Sequence, residues 1–155
     1  MSQLVDTSSF PTGESLDYES QEQLDQLEVL RAEAWRYLRT YRWNPPIADL
    51  VLGFGVAPVI ALFLARREPG AVPEDAERWV VVGNLPSMHF ETDDTPTPAL
   101  ALELYCAIAQ DWADNVLAGR DLSDSYPIPV APTRERAENL LGRIDFIRTK
   151  LIPLA

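Results

Sequence analysis

The chain has 155 residues, of which 46% are hydrophobic and 24% charged, and these values are typical of one globular domain. Its formal net charge of −11 argues against nucleic acid as a direct partner, because binding to phosphates requires clustered cations. The single cysteine, Cys106, excludes an intramolecular disulfide and a zinc cluster of several cysteines, and no signal-like apolar segment opens the chain, so a cytoplasmic protein is predicted.

The N-terminal segment is strongly acidic. Residues 1–19 are rich in serine, threonine and acids and lack a periodic apolar face, which predicts a mobile acidic tail before a single domain at 20–155. Residues 1–28 contain seven acids and no lysine or arginine, so they carry seven of the eleven net negative charges. Such charge attracts a basic protein partner, although its simplest role is to keep the protein in solution.

A first helix is predicted from Ser20, which can cap it together with Gln23, to about Arg42. Its apolar stripe recurs at helical spacing: Leu24, Leu27, Leu30, Ala34, Trp35, Leu38 and Tyr41. Four arginines follow the acids along this segment, in the order that the helix dipole favours: Arg31, Arg36, Arg39 and Arg42. We interpret these arginines as compensating the dipole and forming salt bridges, in preference to binding an anion.

Two strands are predicted next, over residues 47–52 and 56–64, with a turn or bulge at 53–55. The glycines at 53 and 55 do not form a dinucleotide fingerprint, because Pro58 stands where a third glycine is required. The sixteen uncharged residues at 50–65 are too few, and too interrupted by glycine and proline, for a membrane helix. No membrane association is therefore expected.

The most compact strand signal lies at residues 79–82, a run of tryptophan and three valines. An uninterrupted run of this kind predicts a central strand that is covered on both faces. A turn is expected at 83–86, and Pro86 restricts a continuation through 88–90 to an edge strand or a bend.

Two further helices are predicted at 97–117 and 133–152, separated by an extended proline-rich segment at 126–132. Cys106 lies on the apolar face of the first of them, as expected for a packed and inert thiol. Thr133 is the expected cap of the second. Phe146 projects from the side opposite its apolar face, so it is a candidate for self-association or partner binding.

Few residues suggest chemistry. His89 is the only histidine, so a site with paired histidines cannot form within one chain. Asp93 and Asp94 follow it without the spacing of a calcium loop, and no metal or cofactor is expected. Ser87 and His89 share one face of a strand, but no oriented acid completes a catalytic triad.

Part of the chain resembles a group of small bacterial proteins to which no activity is assigned. The resemblance covers about the last two-thirds of the chain and rests on these positions: residues 79–86, Tyr105, Trp112, residues 127–130, Thr133 and Arg143. In that group aspartate is more frequent at the position of Asn84. The resemblance implies a bacterial, cytoplasmic α+β domain and assigns a role to no residue.

The sequence therefore predicts an α+β fold, with a small antiparallel sheet of three to four strands covered by about three helices. The predicted function is a non-enzymatic protein-interaction module, of which an immunity-type inhibitor of a basic protein is one form. Its candidate binding residues are Phe146, His89, Asp93 and Asp94, and self-association is left open. The alternative is a small enzyme or ligand-binding domain with a pocket near Arg78, Asn84, Ser87, His89 and Asp111.

Overall fold

The computed structural model describes residues 5–8, 21–72 and 75–155. Its helices and strands follow one another in this order: α1 (Gln21–Leu38), β1 (Ile47–Val56), β2 (Ile60–Arg67), β3 (Glu77–Gly83), β4 (Met88–Glu91), α2 (Pro98–Leu117) and α3 (Arg134–Phe146). The four strands form one antiparallel sheet in the order β1-β2-β3-β4. The predicted α+β fold with a small antiparallel sheet is confirmed.

The run of tryptophan and three valines at residues 79–82 lies in an inner strand of the sheet, as predicted. β3 pairs with β2 on one side and β4 on the other, and Trp79 and its three valines are fully buried. β4 has four residues and lies at the edge of the sheet, which agrees with the limit that Pro86 sets on this segment.

The β1–β2 turn lies at a different position from the predicted one. β1 continues through both glycines to Val56, and a turn at 57–59 is closed by the bond from Val59 N–H to the Val56 carbonyl, 2.8 Å. The strand register shifts between Leu52 and Phe54, so residue 53 lies in a bulge. At Gly55, a β-carbon would lie 3.0 Å from a methyl of Leu27 in α1, so close packing of helix on strand accounts for this glycine.

α1 packs on β2 and β3 through four buried side chains: Leu27, Leu30, Ala34 and Leu38. They meet a core that includes Phe63, Val80 and Val82 of the sheet. The helix ends at Leu38, four residues before the predicted end, because Trp43 folds back and its Nε1 donates to the Leu38 carbonyl at 2.8 Å. The predicted cap, Ser20, lies outside the described residues.

The chain divides into two compact units, residues 1–98 and 99–155. Within the second unit, α2 buries the predicted face, with Trp112 only 3% exposed. Thr133 caps α3 as predicted by accepting a bond from Arg136 N–H at 3.2 Å. Beyond α3 the chain continues as a π-helical turn, Ile147–Leu151, and a short 3₁₀ turn, Ile152–Leu154.

The predicted tail lies mostly outside the described residues, which include only 5–8 of it. Within this short piece Val5 is buried, and its N–H donates to Glu77 Oε1 at 2.8 Å. Burial raises the pKa of the Glu77 carboxyl, against the lowering effect of that bond. Residue 5 is therefore attached to β3, and the mobility expected of residues 1–19 as a whole stays a prediction.

Across the described ranges, no helix is long and apolar enough to cross a membrane.

Candidate arginine–aromatic binding face

Strand register brings three polar side chains together on the α1 side of the sheet. Arg67 ends β2, Arg78 is the second residue of β3, and His89 lies in β4 opposite Val80. Side chains alternate along strands, so these three share the face that carries Phe63 and Val80 of the α1 core. The segment that follows α1 passes over them.

Asp75 joins the two arginines. Its carboxylate forms an ion pair with Arg67, whose side chain is only 5% exposed, and accepts a bond from Arg78 Nη1 at 3.2 Å. Arg67 also donates from Nε to the Pro45 carbonyl at 2.9 Å. A buried guanidinium requires such partners because the loss of its hydration is otherwise very costly.

His89 is 8% exposed and lies among aromatic rings. The centroid of its imidazole is 4.5 Å from that of Tyr41, 5.5 Å from that of Trp43 and 5.8 Å from that of Tyr37. Arg78 donates from Nε to Nδ1 of His89 at 3.0 Å, so Nδ1 carries no proton. Burial, reinforced by the charge of Arg78, lowers the pKa of His89 to about 4, and the imidazole is neutral at neutral pH.

Trp43 lies between the surface and the group formed by Arg67, Arg78 and His89. Its indole is fixed by the bond to the Leu38 carbonyl, and the guanidinium carbons of Arg67 and Arg78 lie 5.5 and 5.8 Å from its ring centroid. Both distances are within the range of cation–π attraction. Trp43 therefore has one fixed orientation, set by contacts from several directions.

The surface beside Trp43 contains an open pocket of about 420 Å³. It is lined by Trp35, Leu38, Arg39, Tyr41, Trp43, Pro46 and Ile47. Trp35, Trp43 and Ile47 are half-buried because they also pack against the α1 core. The pocket walls are thus held in place by the core beneath them.

Three arginines belong to the segment that lines this pocket: Arg39 is itself a lining residue, Arg36 lies in the last turn of α1 next to Trp35, and Arg42 lies between Tyr41 and Trp43 in the chain. All three are exposed, and none forms an ion pair with any residue that the structure describes. The arginine–aromatic face is defined here as these six residues: Trp35, Arg36, Arg39, Tyr41, Arg42 and Trp43.

The structure brings together two of the residues that the sequence suggests for an alternative pocket. Arg78 and His89 are hydrogen-bonded, but Asn84 is six residues along from Arg78, about 20 Å at the rise of a strand. Asn84 donates its backbone N–H to the Val59 carbonyl at 2.9 Å, a role that does not depend on its side chain. Asp111 lies in the second unit, where its carboxylate accepts a bond from Ser125 Oγ at 3.0 Å.

The candidate partner-binding residues differ in exposure. Asp93 and Asp94 are exposed in the turn after β4, next to Thr95, whose carbonyl accepts a bond from Trp79 Nε1 at 2.8 Å. Phe146 is 43% exposed on α3. His89 is the buried member and would act through the rings that cover it. A binding role for these four residues stays a prediction.

Sequence reasoning did not identify the arginine–aromatic face, although a signal was present. Residues 34–48 contain three arginines, two tryptophans, two tyrosines and no acid, within a chain of net charge −11. The predicted helix extends to Arg42 and its arginines are interpreted as compensating the helix dipole, so they are not recognised as part of a binding face.

Cys106 is buried in the second unit, and burial raises the pKa of its thiol to about 11, so the thiol is protonated at neutral pH. Within residues 5–8, 21–72 and 75–155, no group of three or more His, Cys, Asp or Glu side chains is placed to hold a metal ion.

Comparisons with protein-family models, with curated proteins and with solved structures give no match.

Proposed function

We propose that this chain is a non-enzymatic protein-interaction module that binds its partner through the arginine–aromatic face. The proposal rests on an open pocket lined by two half-buried tryptophans, together with three exposed arginines of the same segment that form no ion pair with any described residue. Tryptophan, tyrosine and arginine are the residues that most often dominate binding energy at protein interfaces.

The geometry also favours low conformational cost on binding. Trp43 is held by a hydrogen bond and two guanidinium groups, and Trp35 packs against the core. A partner would therefore meet side chains that have already lost much of their freedom, so less of the interaction energy is spent on ordering them.

Arg78 and His89 support this face and are poorly suited to acid–base catalysis. Nδ1 of His89 already accepts a bond from Arg78, and its pKa of about 4 lies far from neutral pH. A general base works best when its pKa lies near the operating pH. We infer that this pair holds Tyr41 and Trp43 in position.

A small-ligand-binding domain is the second candidate, and the pocket favours it. Its volume of about 420 Å³ falls in the range of small-molecule sites, which are mostly apolar with a few polar groups. Arg39 would supply the polar contact, and Trp35 and Trp43 the apolar walls.

Binding of a basic protein partner would depend on a different part of the chain. Seven of the eleven net negative charges lie within residues 1–28, and Asp93 and Asp94 add an exposed acidic turn. An immunity-type inhibitor would use these acids, while Arg36, Arg39 and Arg42 would repel a basic surface. The two binding modes therefore predict opposite responses to charge reversal.

The test is affinity capture from the native host, at low and moderate salt, with mass spectrometry. We expect Arg39→Glu with Arg42→Glu to remove the captured protein, and Asp93→Asn with Asp94→Asn to leave it. The reverse pattern would assign binding to the acidic turn and a basic partner. If both variants capture the same proteins as the wild type, neither surface is the interface.

A further inference from the structure

We propose that the arginine–aromatic face recognises an acidic peptide segment that carries one aromatic or large aliphatic anchor side chain. The inference rests on the proposed function and specifies the chemistry of the partner. In this arrangement the anchor enters the pocket between Trp35 and Trp43, and carboxylates of the peptide bind Arg36, Arg39 and Arg42.

Charge at the end of α1 supports an anionic occupant. A helix dipole places about half a negative charge at the C-terminus, and its influence is confined to the last turn. Arg36 lies in that turn, so a single guanidinium is sufficient to compensate it. Arg42 lies four residues beyond the end of the helix at Leu38, so the dipole does not account for its charge.

Other arginines of the same unit form ion pairs with carboxylates of this chain. Arg66 pairs with Asp49 at 2.6 Å, and Arg67, whose side chain is 5% exposed, pairs with the partly exposed Asp75. By contrast, among the described residues the Arg39 guanidinium has a ring contact and no ion pair: its carbon lies 5.9 Å from the centroid of Trp35. A guanidinium that stacks on an indole keeps its N–H edges available for carboxylate oxygens.

The pocket supports an apolar anchor. Its lining is aromatic and aliphatic apart from Arg39, and its volume of about 420 Å³ leaves room for one large side chain and part of its backbone. Binding energy at interfaces is often concentrated in one anchor side chain that fills a pocket inside a polar rim. Carboxylates alone would leave the apolar lining unused.

The overall charge of the chain favours a short acidic segment over a nucleic acid. At physiological ionic strength, screening limits charge interactions to about 8 Å, so a short peptide responds mainly to the three nearby arginines. A long polyanion would also extend over acidic parts of a protein of net charge −11. A peptide is therefore the occupant that we choose.

The intrinsic fluorescence offers a local probe. Of four tryptophans, Trp79 and Trp112 are 0% and 3% exposed, so a ligand at the surface changes chiefly the emission of Trp35 and Trp43. The test uses an acetylated and amidated peptide in which two Asp-Glu pairs flank one phenylalanine. Titration calorimetry measures the dissociation constant, and fluorescence reports the location.

We expect saturable binding by the full chain with a change in emission. Arg39→Glu with Arg42→Glu should weaken binding at least about tenfold, since reversing two rim charges removes attraction and adds repulsion. The matched control is Arg136→Glu with Arg143→Glu on α3, both exposed, which should change the constant less than about twofold. Arg39→Gln with Arg42→Gln should give an intermediate loss, and circular dichroism confirms that each variant is folded.

Three results would overturn the inference. The first is equal weakening by the two pairs of charge reversals. The second is equal binding of a control peptide with Asn-Gln in place of Asp-Glu, or tighter binding of a single-stranded oligonucleotide. The third is binding only after Glu14→Gln, Asp17→Asn and Glu19→Gln, because the chain's own acidic segment would then be the occupant.

A cross-linking arm separates this inference from the proposed function. A photo-crosslinking amino acid at position 48, exposed and next to Ile47 of the pocket, is compared with one at position 139 on α3 in native extract. If a protein is cross-linked only from position 48 and the acidic peptide does not bind, the result supports the proposed interaction face and contradicts the inference of an acidic partner. Equal cross-linking yields at positions 48 and 139, without peptide binding, would contradict both the interaction face and the acidic partner.

Discussion

Arg78 donates a hydrogen bond from Nε to Nδ1 of His89 over 3.0 Å, and both side chains are largely buried. Because a guanidinium only donates, this bond requires an imidazole without a proton on Nδ1. Protonation of His89 would both break the bond and place a second cation beside Arg78. The stability of the fold should therefore depend on pH through this residue.

The first prediction is a loss of stability in mild acid. The pKa of His89 is about 4 in the folded protein and 6.5 unfolded, so between these values the unfolded chain binds more protons. This contribution is fully present above pH 6.5 and is lost as pH falls. Urea unfolding should show about 2–3 kcal/mol less stability from His89 at pH 4.5 than at pH 7.5.

His89→Asn is the matched control for that measurement. Its Oδ1 can accept the bond from Arg78 near the position of Nδ1, but it does not titrate. The difference in free energy of unfolding between wild type and variant should change with pH, which separates His89 from the carboxylates. A constant difference from pH 7.5 to 4.5 would show that His89 titrates normally.

The second prediction concerns the hydrogen bond of Trp43 to the last carbonyl of α1. Trp43→Phe keeps a ring against the arginines but leaves the Leu38 carbonyl without this donor, at a cost of about 1 kcal/mol. Trp43→Ala also removes the packing and should cost about 2–4 kcal/mol. The comparison is Trp35→Phe, and an equal loss from both phenylalanine variants would show that the indole N–H contributes nothing.

The third prediction is that the segment around Val5 contributes to stability. Val5 is 7% exposed and its N–H binds the Glu77 carboxylate, so deletion of residues 1–8 should cost about 1–3 kcal/mol. Glu77→Gln retains an acceptor and should cost less than Glu77→Ala in the same urea experiment. An unchanged melting temperature after the deletion would show that the buried Val5 and its bond to Glu77 contribute nothing to stability.

The fourth prediction concerns Gly83, at the end of β3. Its φ of +137° is unfavourable for other residues, and a β-carbon would lie 2.3 Å from the Val59 carbonyl oxygen. Gly83→Ala should therefore cost more than about 2 kcal/mol. Gly119→Ala has a positive φ but nothing within 4 Å, and should cost about 1 kcal/mol. Equal losses would show that the close approach to Val59 relaxes.

The fifth prediction concerns Phe146, which is 43% exposed on α3. Phe146→Asp should leave the circular dichroism spectrum unchanged and weaken any self-association in sedimentation experiments, because exposed aromatics often anchor interfaces. Ile144→Asp, at a position only 1% exposed on the same helix, should instead unfold the chain. If Phe146→Asp stays folded with all association unchanged, Phe146 has no binding role.

The sequence by itself determined the elements whose signals are local. Thr133 was identifiable as a cap because a cap depends on the next three residues. The bounds of α2 and the inner position of β3 followed from periodicity and from an uninterrupted apolar run, since these patterns report burial directly. Pro86 restricted the segment after it to an edge strand or a bend, and β4 is the edge strand of the sheet.

Only the tertiary structure decided where α1 ends, where the β1–β2 turn lies and which polar side chains meet. The bond from Trp43 caps the end of the helix at Leu38, and Gly55 lies within β1 where Leu27 of α1 packs closely on the strand. The group of Arg67, Arg78 and His89 depends on the register of three strands. Arg67, Arg78 and His89 are far apart in the chain, so no short sequence window contains them together. The arginine–aromatic face, by contrast, lies within residues 35–43, and there the tertiary structure decided only that the helix ends within it, at Leu38.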